Sequence, residues 1–173
     1  MTDNREPRHS ALIVFVPLLM VALVFHIVRF PDFLNANRPD LLVLLCIFFT
    51  TLRRSWFNVE IAWVAGLLLD LLSGAPLGVH ALLFAAQVYL IGSQFRNFAS
   101  YSLWQQTIII GVINLLANVI GYWLEHVIGQ NVYDAPFVIP ALLTAVLWPV
   151  VYGLCSMLCA IFSVMPEDAQ REL

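Results

Sequence analysis

The chain consists of long apolar runs separated by short polar or turn-forming segments. A hydrocarbon layer of about 30 Å requires about 20 helical residues, and six apolar runs are candidates for such spans. The pattern predicts membrane-spanning helices over residues 11–28, 39–52, 59–72, 77–95, 104–124 and 137–164. The first run lacks a small-residue cleavage site behind it and therefore indicates a retained span. The second is short, so a full crossing and a re-entrant segment are both open.

Composition favours the same interpretation. Hydrophobic residues make up 61% of the 173 residues, charged residues only 11%, and the mean hydropathy is +0.87. A soluble core of this size could not bury so much apolar surface. The loops are short, so residues 1–173 are predicted to form one all-α polytopic membrane bundle, with tails at residues 1–10 and 165–173.

The basic residues predict the orientation. All eight are arginines, and the net charge is −3, so the chain has no basic patch that would bind nucleic acid. With six spans and a cytoplasmic N-terminus, the side opposite the cytoplasm carries only Arg29 and Arg38. The cytoplasmic side carries the others, namely Arg5, Arg8, Arg53, Arg54, Arg96 and Arg171. This distribution follows the positive-inside rule and predicts a multi-pass protein of a cytoplasmic membrane.

The sequence contains none of the common catalytic or cofactor-binding motifs. It lacks a phosphate-binding loop with lysine, a G-x-S-x-G elbow, an H-E-x-x-H pair and a C-x-x-C pair. Its four histidines are scattered along the chain. General acid–base chemistry needs several positioned ionisable groups, so we expect no enzyme activity, no cofactor and no metal site.

A tight helical hairpin is predicted between the third and fourth spans. Gly74 suits the left-handed residue that ends a helix, and Pro76 suits the first turn of the next one. Asp70 and His80 lie on either side of this turn within apolar sequence, where an ionisable side chain is costly and usually faces protein or water.

Three roles are open for Asp70. It can form a structural pair with Arg38, Arg29 or His80, it can dock a partner protein, or it can take part in proton or ion coupling. A relay normally uses several intramembrane ionisable groups, and the chain offers one.

Polar and small residues also follow helix faces. In the third span one face carries Trp63, Gly66 and Asp70, and in the fourth His80 and Gln87 share a face. The fifth span has a single stripe at spacings of 3, 4, 3 and 4, formed by Gly111, Asn114, Asn118, Gly121 and Glu125. Such stripes hold helices together, contact the transmembrane helix of a partner, or line a ligand cavity. All three interpretations are open.

Two motifs carry a resemblance to a known family. Arg38-Pro39-Asp40 begins the second span, and a G-L-L-x-D segment from Gly66 is followed by the turn Gly74-Ala-Pro76-Leu-Gly78-Val-His80. These segments resemble the rod shape-determining MreD family of bacteria, whose members are similar in length and almost entirely transmembrane. The motifs lie between Arg38 and Leu83, and elsewhere the likeness is one of hydropathy and length.

The resemblance implies a non-catalytic scaffold of the bacterial inner membrane that supports lateral peptidoglycan synthesis. The implied partners are the bitopic protein MreC, the actin-like MreB, and the glycosyltransferase RodA with its transpeptidase, within membrane lipid. The family is also similar to the substrate-binding subunits of energy-coupling-factor vitamin transporters, which keeps a small-molecule-binding subunit as the alternative. The candidate partner or structural residues are Arg38, Pro39, Asp40, Gly66, Asp70, Gly74, Pro76, Gly78, His80, Gln87, Asn114 and Asn118.

Overall fold

A computed structural model describes residues 8–28, 31, 37–52, 58–95, 98–128 and 137–162, with side chains from Ala11 onward. Within these ranges the chain is all-helical and contains no strand. The helices are α1 (Arg8–Ile27), α2 (Leu41–Leu52), α3 (Val59–Ser73), α4 (Val79–Gln94), α5 (Leu103–Val127) and α6 (Val138–Ile161). A single 3-10 turn, Phe98–Ser100, precedes α5. The prediction of an all-helical fold is confirmed for this part of the chain.

The six helices coincide with the six apolar runs, and their ends differ from the predicted bounds by at most three residues. Turn chemistry explains several of these ends. Gly74 adopts a left-handed conformation, with a φ of 72°, and its N–H donates to the Asp70 carbonyl at 3.1 Å. Ser102 and Gln105 form a reciprocal capping box at the start of α5. Pro140 lies in the first turn of α6, where a helix does not need its missing N–H.

The short helix α2 lies at the centre of the bundle. Its residues 42–50 are all buried, and it contacts α1, α3, α4 and α6. α3 and α4 form one closely packed hairpin, and α5 and α6 form a second pair. A helix that is apolar on every side and surrounded by protein is typical of the core of a large bundle.

Large apolar side chains cover the outer surface of the other helices. The exposed ones include Val21 on α1, Trp123 on α5 and Val146 on α6. Of the described helices, α5 and α6 are long and apolar enough to cross a membrane, with 25 and 24 residues. The apolar stretches of α1, α2 and α4 are shorter.

α6 continues through Pro149, a residue that removes one helical hydrogen bond. Pro149 is exposed, whereas Ala145, whose carbonyl loses its helical donor at this proline, is buried.

Arg38 is the one arginine whose side chain is described, so the positive-inside distribution falls almost entirely outside the described residues.

Candidate functional site

The α3–α4 turn is built around Asp70. Its carboxylate accepts hydrogen bonds from the backbone N–H groups of Gly78 at 2.8 Å, His80 at 3.2 Å and Ala81 at 3.4 Å. These groups belong to the first turn of α4, where backbone N–H groups have no partner within the helix. Gly78 has a φ of 98°, in the region that favours glycine, and this conformation directs its N–H toward the carboxylate. Asp70 therefore caps α4 from the neighbouring helix.

Asp70 also binds the imidazole of His80. The distance from Asp70 Oδ1 to His80 Nδ1 is 2.6 Å, and Asp70 is only 1% exposed. Of the three partners considered for Asp70 from the sequence, the structure shows His80. The positive end of the α4 dipole and the imidazole together compensate the buried carboxylate, as expected for a charge within protein.

Gly66 lets the two helices of the hairpin touch. A Cβ atom built on Gly66 would lie 2.5 Å from Ala81 Cα and 2.6 Å from the His80 carbonyl oxygen. Both neighbouring atoms belong to the backbone of α4 and cannot rotate away. Gly66 is thus required for the approach that brings Asp70 to the start of α4.

The Arg38-Pro39-Asp40 segment joins three helices. The Arg38 guanidinium donates to the carbonyls of His26 and Val28, which are acceptors left free at the end of α1. Asp40 precedes α2, its carbonyl accepts from the Leu44 N–H, and its own N–H donates to Thr144 Oγ1 of α6 at 2.9 Å. The segment ties the end of α1 and the start of α2 to α6.

A chain of amides continues from Asp40 into the bundle. Asn114 Nδ2 of α5 donates to Asp40 Oδ2 at 3.0 Å and to Gln87 Oε1 of α4 at 3.4 Å. Asn118 Nδ2 donates to Asn114 Oδ1 at 3.2 Å. Asn114 is 0% exposed and Gln87 is 3% exposed, so the hydrogen bond between them lies inside the protein.

A cavity of about 170 Å³ lies beside this network. Apolar side chains of α4, α5 and the start of α6 form much of its wall. Its polar lining consists of Asp40, His80, Gln87, Asn118, Tyr122 and Glu125. The described residues contain no group of three histidines, cysteines or carboxylates that could hold a metal ion.

The predicted α5 stripe faces into the bundle. A Cβ on Gly111 would lie 3.1 Å from Ala145 Cβ of α6, and one on Gly121 would lie 2.9 Å from Leu83 Cδ1 of α4. Asn118 and Glu125 are half-buried and line the cavity. These contacts favour the interpretations in which the stripe holds the bundle and lines a cavity.

Trp63 is the exposed member of the predicted α3 face. Trp63 does not share the buried face of Gly66 and Asp70, because its side chain is 46% exposed. Trp63 lies at one edge of the predicted face, and the α3–α4 contact is centred on Gly66 instead. The predicted face of α4 is correct, since His80 and Gln87 line the same cavity.

Gln106 is an important buried residue that the sequence patterns did not reveal. Its amide donates to the carbonyls of Phe98 at 3.1 Å and Tyr101 at 3.0 Å, and its Oε1 accepts from Trp148 Nε1 at 2.9 Å. It fixes the connection before α5 to the middle of α6. Gln106 is the fourth residue of α5 and lies near other polar residues, a pattern typical of a solvated helix start, so only its burial identifies it.

Comparison with known proteins decides the family. A family model described as "rod shape-determining protein MreD" matches residues 8–158, which reach from the start of α1 into α6. The chain belongs to the MreD family. The match extends well beyond the Arg38–Leu83 region that carries the motif resemblance, so MreD membership rests on most of the chain. The family is named for a role in rod shape, and that role does not require a catalytic site.

A curated relative agrees with this result. The rod shape-determining protein MreD of Haemophilus influenzae is 23% identical over 133 residues, which are 77% of this chain and 82% of that protein. No solved structure gives a significant match to the chain.

Proposed function

We propose that this MreD-family chain is a non-catalytic inner-membrane scaffold of the bacterial cell-elongation machinery. The observation that carries the proposal is the family match over residues 8–158, which supports a role in rod shape. The internal geometry is consistent with this role, because Asp70, Arg38 and Asn114 all make contacts between helices of the bundle. Such contacts fix the orientation of helices and leave the outer faces free for other proteins.

The proposed mechanism is presentation of helix faces to partner spans. The outer surfaces of α1, α5 and α6 carry large exposed apolar side chains, and such a surface is suited to lipid and to the transmembrane helices of partners. We propose a bitopic MreC-like protein as the first partner, and MreB, RodA and the RodA transpeptidase as further members of the assembly. Asn114 is fully buried, so a partner would meet the apolar faces and not this amide.

We further propose that all six helices cross the membrane with the N-terminus in the cytoplasm. This orientation places the cavity and the Asp70 turn on the side opposite the cytoplasm. Single cysteines introduced at Leu77 and at Ser100 in a cysteine-free background are expected to react differently with a membrane-impermeant maleimide added to intact cells. Leu77 lies in the α3–α4 turn and should label, whereas Ser100 lies before α5 and should not. The reverse labelling, or equal labelling, would contradict the topology.

Depletion of the protein from a rod-shaped host tests the scaffold function. We expect the cells to become round, and we expect wall-synthesis proteins, led by a bitopic MreC-like partner, to co-purify with the protein in mild detergent. Cell shape by microscopy and mass spectrometry of the purified complex provide the measurements. Rods that persist after depletion would disprove the scaffold function.

A small-molecule-binding subunit of a transporter is the second candidate, and the polar cavity is the observation that favours it. Under this alternative, depletion should create a nutrient requirement that a specific vitamin relieves, without rounding. An energy-coupling ATPase would then replace the wall-synthesis proteins in the purified complex.

A further inference from the structure

The cavity between α4, α5 and the start of α6 is lined by charged side chains that neither helix packing nor partner contact requires. Two carboxylates, Asp40 and Glu125, line it, and no lysine or arginine is among the described residues of its wall. Glu125 makes no hydrogen bond to any described residue. Half-buried carboxylates beside a half-open, partly apolar space favour a cation or a hydrogen-bond donor within that space.

Aromatic rings complete the wall on the same side. Tyr122 and Phe137 both line the cavity, their ring centroids are 5.8 Å apart, and their planes are inclined at 55°. Phe84 lines it from α4. Carboxylates together with aromatic faces form the usual recognition site for an organic ammonium group, because the ring quadrupole attracts a cation that the carboxylate also pairs with.

An amide donor lies beside the same space. Gln87 is 3% exposed and lines the cavity, and its Oε1 accepts from Asn114 while its amide nitrogen donates to no described residue. His80 also lines the cavity, with Nδ1 held by Asp70. Gln87 therefore offers a hydrogen bond to an acceptor oxygen within the cavity.

We propose that this cavity binds a small amino alcohol group, with the ammonium between Glu125, Asp40 and the aromatic rings and the oxygen near Gln87. The volume of about 170 Å³ is comparable to that of a cavity of roughly 150 Å³ that holds benzene, which is larger than an ethanolamine moiety. The group can belong to the headgroup of an ethanolamine phospholipid or to a free amine. In the lipid case this oxygen is the ester oxygen bonded to phosphorus, so the phosphate lies next to Gln87. The inference does not depend on the scaffold function.

Lipid selection by the purified full chain tests the proposal. The protein is equilibrated with vesicles of phosphatidylethanolamine and phosphatidylglycerol in equal parts, and the retained lipid is identified by native mass spectrometry. Free ethanolamine is added in a separate arm, in detergent without lipid, with the thermal midpoint as the readout. We expect preferential retention of the ethanolamine lipid, or stabilisation by free ethanolamine if that is the source.

Two variants and a control link the binding to the cavity. Glu125→Gln keeps the shape and removes the charge, and Tyr122→Leu removes a ring. Each variant should weaken the preference for the ethanolamine lipid roughly tenfold, which is the size expected for the loss of one charge-assisted contact. Glu60→Gln is the control, because Glu60 is an exposed carboxylate at the start of α3, outside the residues that line the cavity. Equal thermal midpoints of all variants without ligand show that each one folds.

The outcomes separate the sources and can refute the proposal. Ethanolamine lipid enrichment that depends on Glu125 assigns the headgroup, and stabilisation by free ethanolamine alone with the same dependence assigns a soluble amine. Equal retention of both lipids without any effect of ethanolamine would overturn the inference. Equal loss in the Glu60→Gln control would also overturn it. Protection of Glu125 from carbodiimide modification only when a partner protein is bound would assign the cavity to a lysine of that partner and refute the amino alcohol.

Discussion

Asp70→Ala is expected to destabilise the protein by about 3 to 5 kcal/mol, because the change leaves several buried donors without a partner. The backbone N–H groups of Gly78, His80 and Ala81 lose their acceptor, and His80 Nδ1 loses its partner. Thermal unfolding in detergent, followed by circular dichroism, and abundance in the membrane provide the measurements. Since the total stability of a domain is of the order of 5 to 15 kcal/mol, we expect little folded protein in cells.

A carboxylate on the same helix serves as the control for Asp70. Glu60 lies in the first turn of α3, is exposed, and makes no hydrogen bond to any described residue. Glu60→Ala should change the thermal midpoint only slightly, because surface substitutions usually alter stability by less than about 0.5 kcal/mol. Asp70→Asn should fall between the two, since one amide oxygen can still accept. An Asp70→Ala protein as stable as the Glu60→Ala protein would show that Asp70 does not hold the hairpin.

Gly66→Ala is expected to separate α3 from α4. The new methyl group would lie 2.5 Å from Ala81 Cα and 2.6 Å from the His80 carbonyl oxygen, both of them backbone atoms. Relief of this overlap requires a movement of one helix, which costs about 1 to 3 kcal/mol or more and lengthens the hydrogen bonds of Asp70. Thermal unfolding and limited proteolysis in the α3–α4 turn provide the measurements.

Gly153 provides the matched control for Gly66. It lies within α6, is exposed, and has no heavy atom within 4 Å of the position where a Cβ would be. Gly153→Ala should be neutral or stabilising by up to about 1 kcal/mol, because alanine has a higher helix propensity than glycine. Equal destabilisation by both substitutions would mean that helix approach at Gly66 is not the cause.

The sequence was sufficient to predict local structure. Apolar runs of sufficient length predict the six helices, and Gly74 and Pro76 predict the tight turn, because both depend on neighbouring residues only. The pairing of Asp70 with His80 was among the alternatives for the same reason, since ten residues separate them across one turn. The roles of the candidate residues in partner binding stay predictions.

Long-range placement could not be predicted in this way. Asn114 meets Asp40 across 74 positions of the chain, and no periodic pattern in either helix specifies that contact. The Arg38 guanidinium donates to the His26 carbonyl at the end of α1, and no periodic pattern specifies that contact either. The sequence also does not predict that α2 is buried on every side, because a helix that faces lipid and a helix that faces protein are both apolar.

The central position of α2 has a consequence for hydrophobic mismatch. At 1.5 Å per residue, α2 is about 18 Å long, while the 25 residues of α5 extend to about 37 Å. Because neighbouring helices surround α2, its length does not have to match the thickness of the lipid hydrocarbon. Asp40 at its start and Thr50 near its end each line a cavity, so the difference in length leaves space at both ends of the short helix. A thinner or thicker bilayer would therefore act on the tilt of α5 and α6, while α2 and the polar groups at its start keep their packing.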